Sequence, residues 1–205
     1  MMQNDVIEKL ADAAWDKLAE MPFDAITLSG LADECAISYA DAVLYGGDVT
    51  GLIVYKIDQF DMNALRQSRD DFAEDPTART YEKLLEGLMM RFEVLAPYRA
   101  QFSALHDGAK KAPALGAALL HQLSVTVAKL LVMAGDDSTG LKKQARIIGV
   151  VGVLLTVRPV WASDEGGDLG LTLKKLDDEL KKACEWAVSL RVLSQADIAG
   201  ASADE

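Results

Sequence analysis

Apolar residues recur at intervals of three and four along nearly the whole chain, and alternating strand-like runs are almost absent. Prolines and glycines cut this pattern into segments of helical length. Ile7, Leu10, Ala14 and Leu18 stripe a first helix from about Asp5 to Met21, stopped by Pro22. Thr27 reads as the N-cap of a short second helix through Cys35, with Leu28, Leu31 and Ala32 inward. A third helix starts near Ser38 and ends before Gly46-Gly47, and Thr50 opens a fourth carrying Leu52, Ile53, Ile57 and Phe60. The charged stretch from Arg69 to Pro76 marks a boundary, dividing the chain into residues 1–69 and 70–205. Tyr81, Leu84, Leu88, Phe92 and Leu95 then stripe a fifth helix ended by Pro97. A sixth runs from about Tyr98 to His106, before a loop from Gly108 to Pro113. The seventh, Leu115 to Met133, is apolar on more than one side, as a central helix is. An eighth, from about Gly140 to Trp161, is kinked or ended by Pro159. An acidic loop from Ser163 to Gly170 precedes a ninth, Thr172 to Val192, and the last dozen residues read as a frayed tail. The expectation is an all-α protein of about nine helices, with a small N-terminal bundle and a larger C-terminal one.

Composition narrows the function classes. Half of the 205 residues are hydrophobic, ample for a core without covalent staples. The only cysteines, Cys35 and Cys184, are far apart, which excludes a disulfide framework or zinc ribbon and fits a reducing compartment. The longest apolar run, Ile147 to Val157, is eleven residues between two arginines, too short to span a bilayer. No basic-then-apolar leader opens the chain, so a soluble cytoplasmic protein without an integral membrane span is expected. His106 and His121 are the only histidines and have no carboxylate at ligand spacing; neither cysteine has a base nearby in sequence. No glycine-rich phosphate loop of the required form occurs. Glu82, Glu86 and Glu93 read as a solvated helix face. These absences predict no enzyme activity, no metal site and no cofactor.

The segment Pro22-Phe23-Asp24-Ala25-Ile26-Thr27-Leu28-Ser29-Gly30-Leu31-Ala32-Asp33-Glu34-Cys35-Ala36-Ile37-Ser38 resembles the helix-turn-helix of TetR-family transcriptional regulators. Phe23, Thr27, Leu31-Ala32, Ala36, Ile37 and Ser38 fill that pattern, and length and helix count extend the resemblance over the whole chain. It implies a TetR-like fold, with Thr27, Ser38, Tyr39, Tyr45 and Lys56 as the residues that would meet DNA. Charge opposes that role. Residues 1–66 hold four basic side chains against twelve acids, a balance of −8, and the whole chain carries −11. From Asp24 to Ile57, Lys56 is the only base, against Asp24, Asp33, Glu34, Asp41 and Asp48. A module making roughly six to ten phosphate contacts needs cations at its surface.

The C-terminal half resembles a second group that shares this fold, the Coq-nine family of ubiquinone-biosynthesis accessory proteins. Ala134-Gly135-Asp136-Asp137-Ser138-Thr139, then Arg146, then an acidic loop with Asp164, Glu165 and Asp168 before Leu171-Thr172-Leu173 carry that likeness. It implies an apolar ligand, a lipid or isoprenoid, in the C-terminal bundle. The candidate lining is Leu88, Met89, Phe92, Leu123, Val127, Leu130, Val151, Leu154 and Leu155, beside Met133; the same stripe also reads as plain core. Gly149 and Gly152 sit mid-helix, and a close helix approach or a cavity would account for them. Leu173, Leu176, Leu180, Ala183, Cys184, Ala187 and Leu190 form a wide stripe beside the apolar eighth helix, predicting a homodimer through the last two helices. Three readings follow: a lipid-type binding protein with a degenerate helix-turn-helix, a working one-component regulator with a small apolar effector, or an interaction protein with a filled core.

Overall fold

The computed structural model describes residues 2–189, and every regular element among them is helical. The order is α1 (Met2–Glu20), a 3₁₀ turn (Phe23–Ala25), α2 (Leu28–Glu34), and α3 (Tyr39–Asp41), which continues as a π-helical turn (Ala42–Gly46). Then come α4 (Val49–Glu74), α5 (Thr80–Leu95), a 3₁₀ turn (Ala96–Tyr98), α6 (Arg99–Lys111), α7 (Pro113–Met133), α8 (Gly140–Ser163) and α9 (Gly170–Ser189). The all-α expectation of about nine helices therefore holds among the described residues.

Three boundaries differ from the sequence reading. Gly108 lies inside α6, where the loop was expected, because Phe23 and Leu115 close over it and leave no room for a Cβ. Pro113 then starts α7, a position where its missing N–H costs nothing. Pro159 does not end α8, which continues to Ser163; the Ser163 hydroxyl donates to the Pro159 and Val160 carbonyls. The end of the ninth helix at Val192 and the tail lie outside the described residues.

Backbone contacts divide the chain into two units: residues up to Phe60 with Pro97–Gln122, and Asp61–Ala96 with Leu123 onward. The cut falls within α4 and α7 rather than in the Arg69–Pro76 stretch expected to separate residues 1–69 from 70–205. No proline stands between Val49 and Asp75, so α4 runs through its charged end until Pro76.

In the first unit, Leu10, Ala14, Leu18, Leu31, Leu52, Ile53, Leu105 and Leu115 form a buried apolar core. Trp15 is its centre, with the rings of Phe60, Phe102 and Tyr98 edge-on at 5.2, 5.4 and 5.7 Å. In the second, α8 and α9 pack together across a short loop, with Val153, Leu154, Val157, Leu176 and Leu180 buried. Asp164 in that loop is buried and accepts both the Thr172 amide (2.9 Å) and hydroxyl (2.8 Å), closing the first turn of α9. Tyr81 ties α5 to α9 by donating to Asp177 at 2.7 Å.

By length and composition, α7 (21 residues) and α8 (24 residues), each with an 18-residue stretch of mean hydropathy 1.6, are long and apolar enough to cross a bilayer. The eleven-residue run judged too short is the middle of α8, whose flanking arginines do not interrupt the helix.

Candidate functional site

Thr27 accepts the Gly30 amide at 3.2 Å and caps α2. The helix ends with Ala36 at φ 53°, in the left-handed region, while the Ile37 amide reaches back to the Ala32 carbonyl. Ser38 accepts the Asp41 amide and donates its hydroxyl to the Asp41 carboxylate at 2.6 Å, capping α3. Two short helices and the turn between them thus form for local reasons, and the polar groups of Thr27 and Ser38 are spent on their caps. Lys56 pairs with Asp12 at 2.5 Å and lies 5.3 Å from the Phe60 ring centre. The one base expected at this surface is therefore held by its own unit, not presented to phosphate. Tyr45 is half-buried.

What α3 presents instead is apolar. Tyr39 is 60% exposed, Val43 49% and Leu44 70%. Asp33, Glu34, Asp41 and Asp48 are exposed around this short segment. Glu34 meets Lys17 at 3.4 Å, and Asp48 accepts the Gly51 amide at 2.7 Å to cap α4.

The second unit holds the expected ligand-lining residues. Leu88, Met89, Phe92, Val127, Leu130, Val151 and Leu154 are buried, and Leu123 is half-buried. Leu155 departs from this group: it is 48% exposed, because neighbouring positions on a helix point about 100° apart. The stripe is closely filled. A Cβ on Gly87 would overlap Leu130, and the Phe92 and Trp161 rings sit 5.7 Å apart, with the indole N–H donating to the Phe92 carbonyl.

Two features escaped the sequence reading. Asp61, 1% exposed, accepts Arg91 Nε at 2.7 Å and the Thr126 hydroxyl at 2.7 Å, a buried charge pair among apolar side chains. Only folding brings these positions together, so no local spacing announces them. In the first unit an open groove of about 470 Å³ lies over Leu18, Met21, Pro22, Ala104 and Gly108, edged by Asp24, Asp107 and Lys111. Lys111 meets Asp24 across 3.6 Å.

The mid-helix glycines face neither a close helix nor a cavity. Gly149 and Gly152 are exposed, with nothing within 4 Å of where a Cβ would stand. They share the outer face of α8 with Leu141, Ile148 (69% exposed), Leu155 and Pro159. Leu171, Leu173 and Trp186 of α9 are exposed as well.

Among the described residues no group of three or more His, Cys, Asp or Glu could hold a metal ion. Burial pushes both thiols, Cys35 and Cys184, above their ordinary value, which keeps them protonated and weakly nucleophilic at neutral pH. No protein-family model and no curated protein matches the chain.

Proposed function

We propose that this chain is a TetR-like, Coq-nine-like binding protein that does not read DNA. It carries an apolar, lipid or isoprenoid-like ligand in its C-terminal half and acts in the cytoplasm as a homodimer. The observation that carries this reading is the state of Lys56. The only base from Asp24 to Ile57 is bound to Asp12 and Phe60, among exposed carboxylates. With no other base in that segment, it supplies little of the counterion release that drives protein–DNA affinity.

The dimer uses the outer face of α8 with α9. Two mid-helix glycines cost about 0.5–1 kcal/mol each relative to alanine. On a face that also exposes Ile148 and Leu155, that cost is sensible where a second helix approaches closely. The ligand reading rests on an apolar stripe holding one fixed polar set, Asp61, Arg91 and Thr126, suited to orient a polar end. Entry requires the closely packed side chains to move, and Met89 is the most adaptable of them.

Mass spectrometry of lipids extracted from the purified protein tests this reading. A stoichiometric apolar compound, displaced by a fluorescent fatty-acid or isoprenoid probe, is the expected result. A ligand-free protein that takes up neither probe would favour the interaction protein with a filled core, as the Gly87–Leu130 packing does. The intact capping of α2 and α3 by Thr27 and Ser38 favours the second reading, a working regulator.

A further inference from the structure

We infer that the exposed face of α3 docks a basic amphipathic segment of a partner protein. Tyr39 and Ala40 on α3, and Val43 and Leu44 in the π-helical turn that continues it, are all exposed within six consecutive residues. Three of the four are large, and all are exposed. Nothing in unit 1 needs them outside: the buried cluster forms around Trp15 and Leu31, and Ala42, the first residue of the π-helical turn, is the one from this segment that enters it. Three large apolar side chains on so short a helix form a contiguous patch rather than scattered surface residues.

Charge selects the occupant. Asp33 at the end of α2, Asp41 on α3 and Asp48 at the start of α4 are exposed, and no ion pair is formed by any of the three among the described residues. The bonds that Asp41 and Asp48 do make come from a neutral hydroxyl and from backbone amides, which leave their negative charge in place. A segment with apolar anchors between lysines or arginines satisfies both features at once. DNA and anionic lipid bring phosphates to the same carboxylates and are repelled. A second copy of this face meets like charge with like. The chain beyond residue 189 has only Arg191 against Asp197, Asp204 and Glu205, which makes it a poor occupant.

The test uses the full chain and two fluorescent helical peptides, one of repeated Leu-Lys-Lys-Leu pattern and one with glutamate in place of lysine. Binding is followed by anisotropy at low and high salt. The lysine peptide is expected to bind with a dissociation constant of about 10 µM, as suits a small patch. The glutamate peptide should bind at least about tenfold more weakly, a difference of about 1.4 kcal/mol. Val43→Ser with Leu44→Ser should weaken the lysine peptide by about tenfold or more. Asp33→Asn with Asp41→Asn should lower its affinity and flatten its salt dependence. Val132→Ser, at an exposed apolar position on α7, should leave it unchanged, which separates docking on α3 from general stickiness. Equal binding of both peptides, or indifference to the Val43/Leu44 change in a variant with native near-ultraviolet circular dichroism, overturns the proposal. So does duplex DNA or an anionic vesicle binding through Leu44.

Discussion

The two units use charge in opposite ways. The first has an aromatic core around Trp15 and puts its carboxylates outside, beside the exposed apolar residues of α3 and the turn after it. The second also places charges inside, Asp61 with Arg91, Asp136 with Arg146, and Asp164 at the cap of α9, and exposes a glycine-bearing apolar stretch on α8. The difference shows how little a net charge of −11 says about partners. A carboxylate on the surface selects what can approach, whereas a buried one fixes how helices sit. An apolar face rimmed by acids invites a basic partner, and one lined by glycines invites close packing of another helix.

The largest expected effect comes from breaking a buried pair. Arg91→Met leaves Asp61 charged and buried beside Thr126 alone, and should cost about 3–5 kcal/mol in chemical denaturation. Lys56→Met in the first unit removes a pair whose Asp12 partner is half exposed, and should cost about 1 kcal/mol or less. Equal losses would erase the contrast between the units. Next is the α8 face. Ile148→Glu should shift a dimer to monomer in analytical ultracentrifugation, weakening association by more than about 2 kcal/mol. A wild-type monomer at micromolar concentration would remove this face from the account.

A pH effect follows from Tyr81. Burial, then the hydrogen bond to Asp177, pushes its hydroxyl above the ordinary tyrosine value. A raised folded-state pKa gives stability that is complete below the unfolded value and is lost as pH rises. Wild type should therefore lose stability above about pH 10 more steeply than Tyr81→Phe, as measured by urea denaturation across alkaline pH. Identical alkaline slopes would show that Tyr81 ionises freely in the folded state.

The smallest effect contrasts two helix ends of the same design. Gly135 (φ 92°) follows α7 and Ala36 (φ 53°) follows α2, each succeeded by an amide that reaches back five residues. Only Ala36 bears a Cβ in that conformation, so Ala36→Gly should stabilise the first unit by up to about 1 kcal/mol in thermal melts. A loss of stability would mean that chain entropy outweighs the strain at that turn.

The helices were legible because their signals are local: apolar spacing, Pro22 and Pro97 as stops, Thr27 and Ser38 as caps. Gly108 misled because a glycine in a helix resembles a loop until Phe23 is seen lying on it. The division into units was hidden because α4 and α7 each pass through both, and no break in the sequence marks Phe60 or Gln122. Leu155 could have been separated from Leu154, since adjacent helical positions cannot share a narrow face. Asp61 with Arg91 could not have been found, because thirty residues lie between them and only the fold joins them.

The central claim is that the helix-turn-helix surface, with its base tied down and its carboxylates exposed, does not hold DNA. Fluorescence anisotropy of the full chain against duplex DNA from upstream of its own gene, across a salt series, tests it most directly. The account predicts weak binding at physiological salt, no tighter than about 10⁻⁴–10⁻⁶ M, with little dependence on sequence. Nanomolar binding to one site with a steep salt slope, lost on Lys56→Ala, would contradict it and make the protein a regulator.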